Sequence, residues 1–151
     1  MKTPIKLKNG TEVCLADLYD EYNRLYFNGK LRNCRLYTYK GSRALGVFHG
    51  RRWKNNGYLY KVSIGIAKNV DWTIEDLRNV LVHEMVHLHL NCQPNPPKRQ
   101  HGKEFKAFCR SFEAKYGLDL TDKLKHLDFN DIVKPTNPFG YIKYWIKRYI
   151  L

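Results

Sequence analysis

Acidic side chains are scarce in this 151-residue chain. Asp and Glu number 14 against 27 Lys and Arg, a formal charge of +13. Such a one-signed surface implies a polyanionic partner, nucleic acid before others, because the field attracts phosphates without reading any base. Cysteine is also sparse. Cys14, Cys34, Cys92 and Cys109 are scattered and form no C-x-x-C pair, which excludes a zinc ribbon and a disulfide framework. Each is expected to pack as a small apolar residue in a reducing compartment. No apolar run approaches a membrane span, and residues 1–10 lack the apolar block of a signal peptide. The expectation is an intracellular, cytoplasmic protein, with the nucleoid as a place its charge would take it, and no membrane partner. Internal repeats and low-complexity tracts are absent as well.

What is present suits a globular chain. Hydrophobic residues make up 43%, enough for one domain with a real core. A single domain over 1–151 is expected, acting as a monomer, with its core at 11–118 and a basic, aromatic tail at 134–151. Asn9-Gly10 between short alternating runs predicts a hairpin ribbon. Leu18, Tyr19, Tyr22, Leu25 and Tyr26 recur at three and four, predicting a helix over 16–27 that Asn28-Gly29 stops. Strands are predicted at 31–39, 44–49 and 58–67, the last two joined as an antiparallel hairpin through 50–57. A second helix is predicted over 73–91, with Thr73 and Asp76 as its capping pair. The prolines at 94, 96 and 97 open a basic loop, and a third helix over 102–116 ends at Gly117. The order reads as an α+β fold: a small antiparallel or mixed sheet packed on the second helix.

That helix carries Leu81-Val82-His83-Glu84-Met85-Val86-His87. Residues four apart share one helix face, so His83 and His87 can hold one metal ion between them. Glu84 is placed to reach a water on that ion and act as a general base, the arrangement of a hydrolytic zinc site. The flanking Val80, Val82, Met85, Val86, Leu88 and Leu90 make the helix apolar almost all round, hence buried. Two imidazoles and a carboxylate on a buried helix are costly unless something satisfies them.

A catalytic zinc takes three protein ligands and leaves one position open. His89 is turned about 200° from His87 and is rejected. His101, where the proline loop meets the third helix, is favoured over Glu104, which remains the alternative. His49 and His126 have no identifiable partner in the sequence.

At these motifs the chain resembles the SprT-like family of zinc metalloproteases, which includes Spartan. The likeness runs through Tyr22-Asn23-Arg24-Leu25-Tyr26-Phe27-Asn28-Gly29-Lys30-Leu31, Ala44-Leu45-Gly46-Val47-Phe48, the His83–His87 motif and His101-Gly102-Lys103-Glu104-Phe105. The resemblance implies a zincin-like metallopeptidase domain in which His83, His87 and His101 bind one Zn2+ and Glu84 is the general base. It also implies a protein substrate, and the Spartan branch acts on proteins trapped on DNA; the DNA partner expected for this chain is single-stranded or junction DNA. The cysteine-paired ribbon common in the family has no counterpart here, so DNA binding through that module does not carry over.

Other basic segments would have to serve. Arg51, Arg52, Trp53 and Lys54 fall in the predicted hairpin loop, where cations could meet phosphates and Trp53 a base; equally, Trp53 could fold back on the sheet. Lys98, Arg99, Lys103, Lys106 and Arg110 flank His101, and Tyr144, Trp145, Lys147, Arg148 and Tyr149 lie in the tail. The strand at 58–67 is either an edge able to pair with an extended substrate or an internal strand. The competing function is a nucleic-acid-binding module with a structural zinc and no catalysis, which would have no use for Glu84.

Overall fold

A computed structural model describes residues 3–121 and 126–131 of the chain. The tail at 134–151, with its expected role in DNA contact, lies outside the described residues. Two short strands, β1 (Pro4–Lys6) and β2 (Glu12–Cys14), pair antiparallel around Gly10, whose φ of 88° a residue with a side chain would adopt only under strain. Helix α1 (Leu15–Phe27) follows at once. It ends where Asn28 turns left-handed at φ 54° and its N–H closes on the Asn23 carbonyl. Both features are where the sequence puts them.

Three further strands form a mixed sheet: β3 (Arg35–Tyr39), β4 (Gly46–Arg52) and β5 (Leu59–Ala67). The order is β3-β5-β4, with β3 parallel and β4 antiparallel to β5. Strand β5 is therefore central, which settles the question left open for 58–67: it cannot take an added strand. The end strand on the hairpin side is β4. Ile64, Gly65, Ile66 and Ala67 are all buried, so this end of β5 is covered on both faces. Tyr37 lies over Gly65, where an added Cβ would come within 2.5 Å of its ring, and Phe129 and Ala67 both crowd the space beside Gly41. The strand predicted from 31 begins only at Arg35, because Leu31 is tied instead to α1 through the side-chain amide of Asn23, whose Oδ1 accepts the Leu31 N–H at 3.0 Å and whose Nδ2 donates to the Leu31 carbonyl at 3.2 Å.

Helix α2 (Ile74–Asn91) is the spine. Thr73 caps it, its hydroxyl accepting the Asp76 N–H at 3.1 Å. Trp72, fully buried just before the cap, donates its indole N–H to the Ala67 carbonyl at 2.8 Å and locks the turn from β5 into α2. Leu77, Leu81, Val82, Met85, Val86 and Leu88 are all completely buried. Each stabilises the fold by roughly 1.5–3 kcal/mol relative to exposure. The helix touches β4 and β5 on one side and α1 and α3 (Lys103–Tyr116) on the other, which is why it is apolar around most of its circumference. Helix α3 stops at Gly117, at φ 68°. The segment beyond it lays Leu118 and Leu120 into the core. Among the described residues, no helix is long and apolar enough to cross a membrane.

Candidate metal centre

Helical spacing and a loop closure bring three imidazoles together. His83 and His87 lie one turn apart on α2, and His101 arrives from the loop that leads into α3. The Nε2 atom of His101 is 3.2 Å from that of His83 and 3.1 Å from that of His87. These three are the one His/Cys/Asp/Glu cluster among the described residues that is disposed to hold a metal ion. Glu104, the alternative third ligand, is exposed in the first turn of α3 and outside the cluster. His89 turns the other way and packs its ring between Phe27 and Phe108, at 5.8 and 5.0 Å between centroids.

The arrangement fits a divalent ion. The Nδ1 of His83 lies 2.7 Å from the Leu120 carbonyl oxygen, which can only accept; Nδ1 therefore carries the proton and Nε2 offers its lone pair to the cluster. Two imidazole nitrogens on a tetrahedral ion with bonds of about 2.0–2.1 Å stand about 3.3 Å apart, close to the separations found here. Burial, above all, pushes His83 down to about 4, with His101 adding to it and the Leu120 carbonyl opposing. Burial, then His83 and His101, pushes His87 down further, and burial followed by Lys106 lowers His101. Burial thus favours the neutral imidazole, the form that binds a metal, at all three positions.

Aromatic rings fix the imidazoles in place. His87 is stacked on Phe105 of α3 at 4.3 Å and faces Phe48 of β4 at 6.3 Å, with interplanar angles of 15° and 16°. Phe105 also meets His83 and His101 edge-on, at 4.9 and 5.0 Å.

A polar chain joins the hairpin, the end of α2 and the His101 loop. Arg52 donates from Nη2 to the backbone oxygen and Oδ1 of Asn91, at 2.8 and 3.0 Å, and from Nη1 to the Gly57 carbonyl at 3.1 Å. Asn91, itself buried, donates to the His87 carbonyl at 2.7 Å and to Gln100 Oε1 at 3.3 Å, one residue before His101.

Glu84 is 6% exposed, and burial raises its carboxyl to about 8. Strand β4 passes so close that a Cβ on Gly46 would lie 3.0 Å from Glu84 Oε1 and 2.8 Å from Val80 Cγ1. A cleft of about 570 Å³ opens here, with residues 46–50 of β4 along one wall and His83, Glu84, His87, Gln100 and His101 opposite.

The basic quartet of the hairpin does not act as one loop. Arg51 and Arg52 belong to β4, and Arg52 is held by Asn91. Trp53 folds back and stacks on Tyr60 at 4.2 Å between centroids, while Lys54 is exposed. His126 does have a partner: its Nε2 is 3.0 Å from Asp76 Oδ2, fifty positions away in the chain. His49 sits exposed on the cleft rim. Sequence reasoning missed Asn91, Gln100, Phe105 and the Leu120 carbonyl as supports of the site. A glycine inside a strand, at 46, signalled only the close approach of β4 to Val80 and Glu84.

Fold and site together define an α+β protein in which two histidines of an H-E-x-x-H helix and a third from the following loop form a cluster able to hold a metal ion. Comparison with family models matches residues 15–126 to the SprT-like family, and the chain belongs to that family. No curated protein matches it.

Proposed function

We propose that this chain is a zinc-dependent endopeptidase of the SprT-like type, acting on DNA-associated or DNA-crosslinked proteins. One observation carries the reading: three histidine Nε2 atoms converge beside a buried glutamate at the foot of a cleft walled by an end strand. Three imidazoles suit several transition metals, and zinc is the one that the resemblance to zinc metalloproteases favours. His83, His87 and His101 would hold the ion. When bound, Zn2+ supplies Lewis-acid polarisation of water and carbonyl, and its charge favours the ionised form of Glu84.

The chain's own groups do the rest. Glu84 takes the proton of the attacking water and passes it to the leaving amine nitrogen, a role worth about 10²–10⁴ in rate. Leu120 holds His83 in its tautomer through the Nδ1–H bond. The cleft side of β4 presents backbone N–H and C=O groups to an extended peptide, which makes side-chain selectivity weak. The charge of +13 supports the nucleic-acid half of the reading.

The test is cleavage of a basic DNA-bound protein by zinc-loaded wild type and Glu84→Gln, with and without single-stranded DNA. Cleavage by wild type alone, accelerated by DNA, is expected. Cleavage indifferent to DNA removes the nucleic-acid role, and equal cleavage by Glu84→Gln removes the base.

A further inference from the structure

Strand β4 has two faces. Gly46 presses on α2 and Phe48 faces His87, so alternation turns His49 and Arg51 to the opposite side of the sheet. There Arg51 stands directly across from Lys61, and His49 and Arg35 both register with Ser63. Arg35, His49, Arg51 and Lys61 are all exposed. Like charges directly opposite on antiparallel neighbours destabilise a sheet. No carboxylate relieves this pair: among the described residues the ion pairs are Arg78–Glu75 and His126–Asp76, both elsewhere.

These side chains line an open groove of about 730 Å³ that has no acidic residue among the described residues of its wall. Arg32 adds a fixed cation, its guanidinium held by the Leu59 and Tyr60 carbonyls at 2.6 and 3.4 Å. Tyr60 also lines the groove, and Trp53, stacked on it, remains 52% exposed. His49 and Gly50 border both this groove and the metal cleft, so β4 alone separates the two.

We propose that this groove binds single-stranded nucleic acid, with Arg35, Arg51 and Lys61 on successive phosphates and Trp53 stacking on a base. Cations beside an open aromatic on a sheet face suit an unstacked strand, whereas a duplex is read by an element inserted into its groove. A strand held there lies across β4 from the peptide being cut, so protein attached to it is delivered to the cleft. The inference rests on the nucleic-acid half of the function proposed above and not on the peptidase half.

Lys61→Glu separates binding from folding, because it converts a like-charge cross-strand pair into an opposite-charge one. Binding of a labelled oligothymidylate to the zinc-loaded full chain is followed by anisotropy across salt concentration, without any protein substrate. The expected result is an unchanged or higher Tm, affinity at least about 10-fold lower, and a salt slope reduced by about 1. Trp53→Ala is expected to weaken binding about 10-fold at an unchanged slope. Three results would overturn the proposal: wild-type affinity in Lys61→Glu, equal affinity for a duplex of the same length, or no oligothymidylate binding by wild type. Competition by inorganic phosphate as strong as by the oligonucleotide would reduce the groove to a small-anion pocket and overturn it too. Binding without peptidase activity would leave this inference standing and sink only the catalytic reading.

Discussion

Gly46→Ala perturbs the closest approach between the cleft wall and the motif helix. The added methyl would lie 2.8 Å from Val80 Cγ1, 3.0 Å from Glu84 Oε1 and 3.1 Å from Glu84 Cγ. Carbon atoms rest comfortably at about 3.5–4.0 Å, so the overlap is roughly 0.5–1 Å. Val80 cannot give way, since it is 3% exposed and a β-branched residue on a helix has essentially one χ1 rotamer. The strand must retreat or Glu84 must swing. Overpacking of this kind costs about 1–3 kcal/mol. Replacing a glycine returns about 0.4–1 kcal/mol through the unfolded chain, so crowding wins. At about 2–4 °C per kcal/mol for a chain of this size, Tm should fall by several degrees. Zinc content should be retained, because the three histidines come from α2 and the loop before α3. Peptidase activity should drop by about 100-fold, the usual effect of a 1 Å misplacement of reacting groups. Thermal unfolding, zinc content and kcat/KM on one preparation decide it. Unchanged Tm together with unchanged activity would refute the close packing of β4 on Glu84.

Three further outcomes are expected. In the metal-free protein Glu84→Gln should raise Tm, with a gap over wild type that widens between pH 4.5 and 8; burial lifts the folded carboxyl from 4.5 to about 8, so wild type loses stability as pH climbs through that window. A gap that stays flat with pH would contradict it. Zinc at about 1,000 times its Kd should add about 4 kcal/mol of stability, and His101→Ala should lose most of the corresponding Tm shift seen on chelation. Asn91→Ala, which frees Gln100 and leaves Arg52 only its backbone partners, should weaken zinc binding by about 10–100-fold in a competition titration while sparing the sheet.

Features set by neighbours in the chain were legible beforehand. The 3.6-residue period alone puts His83 and His87 on one face. Thr73, Asn28 and Gly117 mark their helix ends because capping and left-handed turns depend on one or two residues. The hydrophobic pattern of 80–90 announced a buried helix, and the buried carboxylate within it announced chemistry.

What the sequence could not carry were pairings between distant segments. Alternation along 58–67 looks half-buried, yet β5 is central, because β3 and β4 pair along its two edges, and Tyr37, 28 positions away, covers Gly65. Arg51 and Arg52 read as one basic cluster until the register with β5 is known; a slip of one residue exchanges the two faces of a strand, and it is register that sends one arginine to the open groove and the other to Asn91. His101 was named from its motif, but its meeting with the helix pair depends on Phe105 stacking against His87 and Asn91 holding Gln100. The sequence by itself determined the histidine pair, the glutamate beside it and the helix that bears them, because those follow from local geometry. The tertiary structure decided the third histidine's position, the strand that walls the cleft and the side of the sheet that gathers positive charge, because each depends on which distant surfaces are packed together.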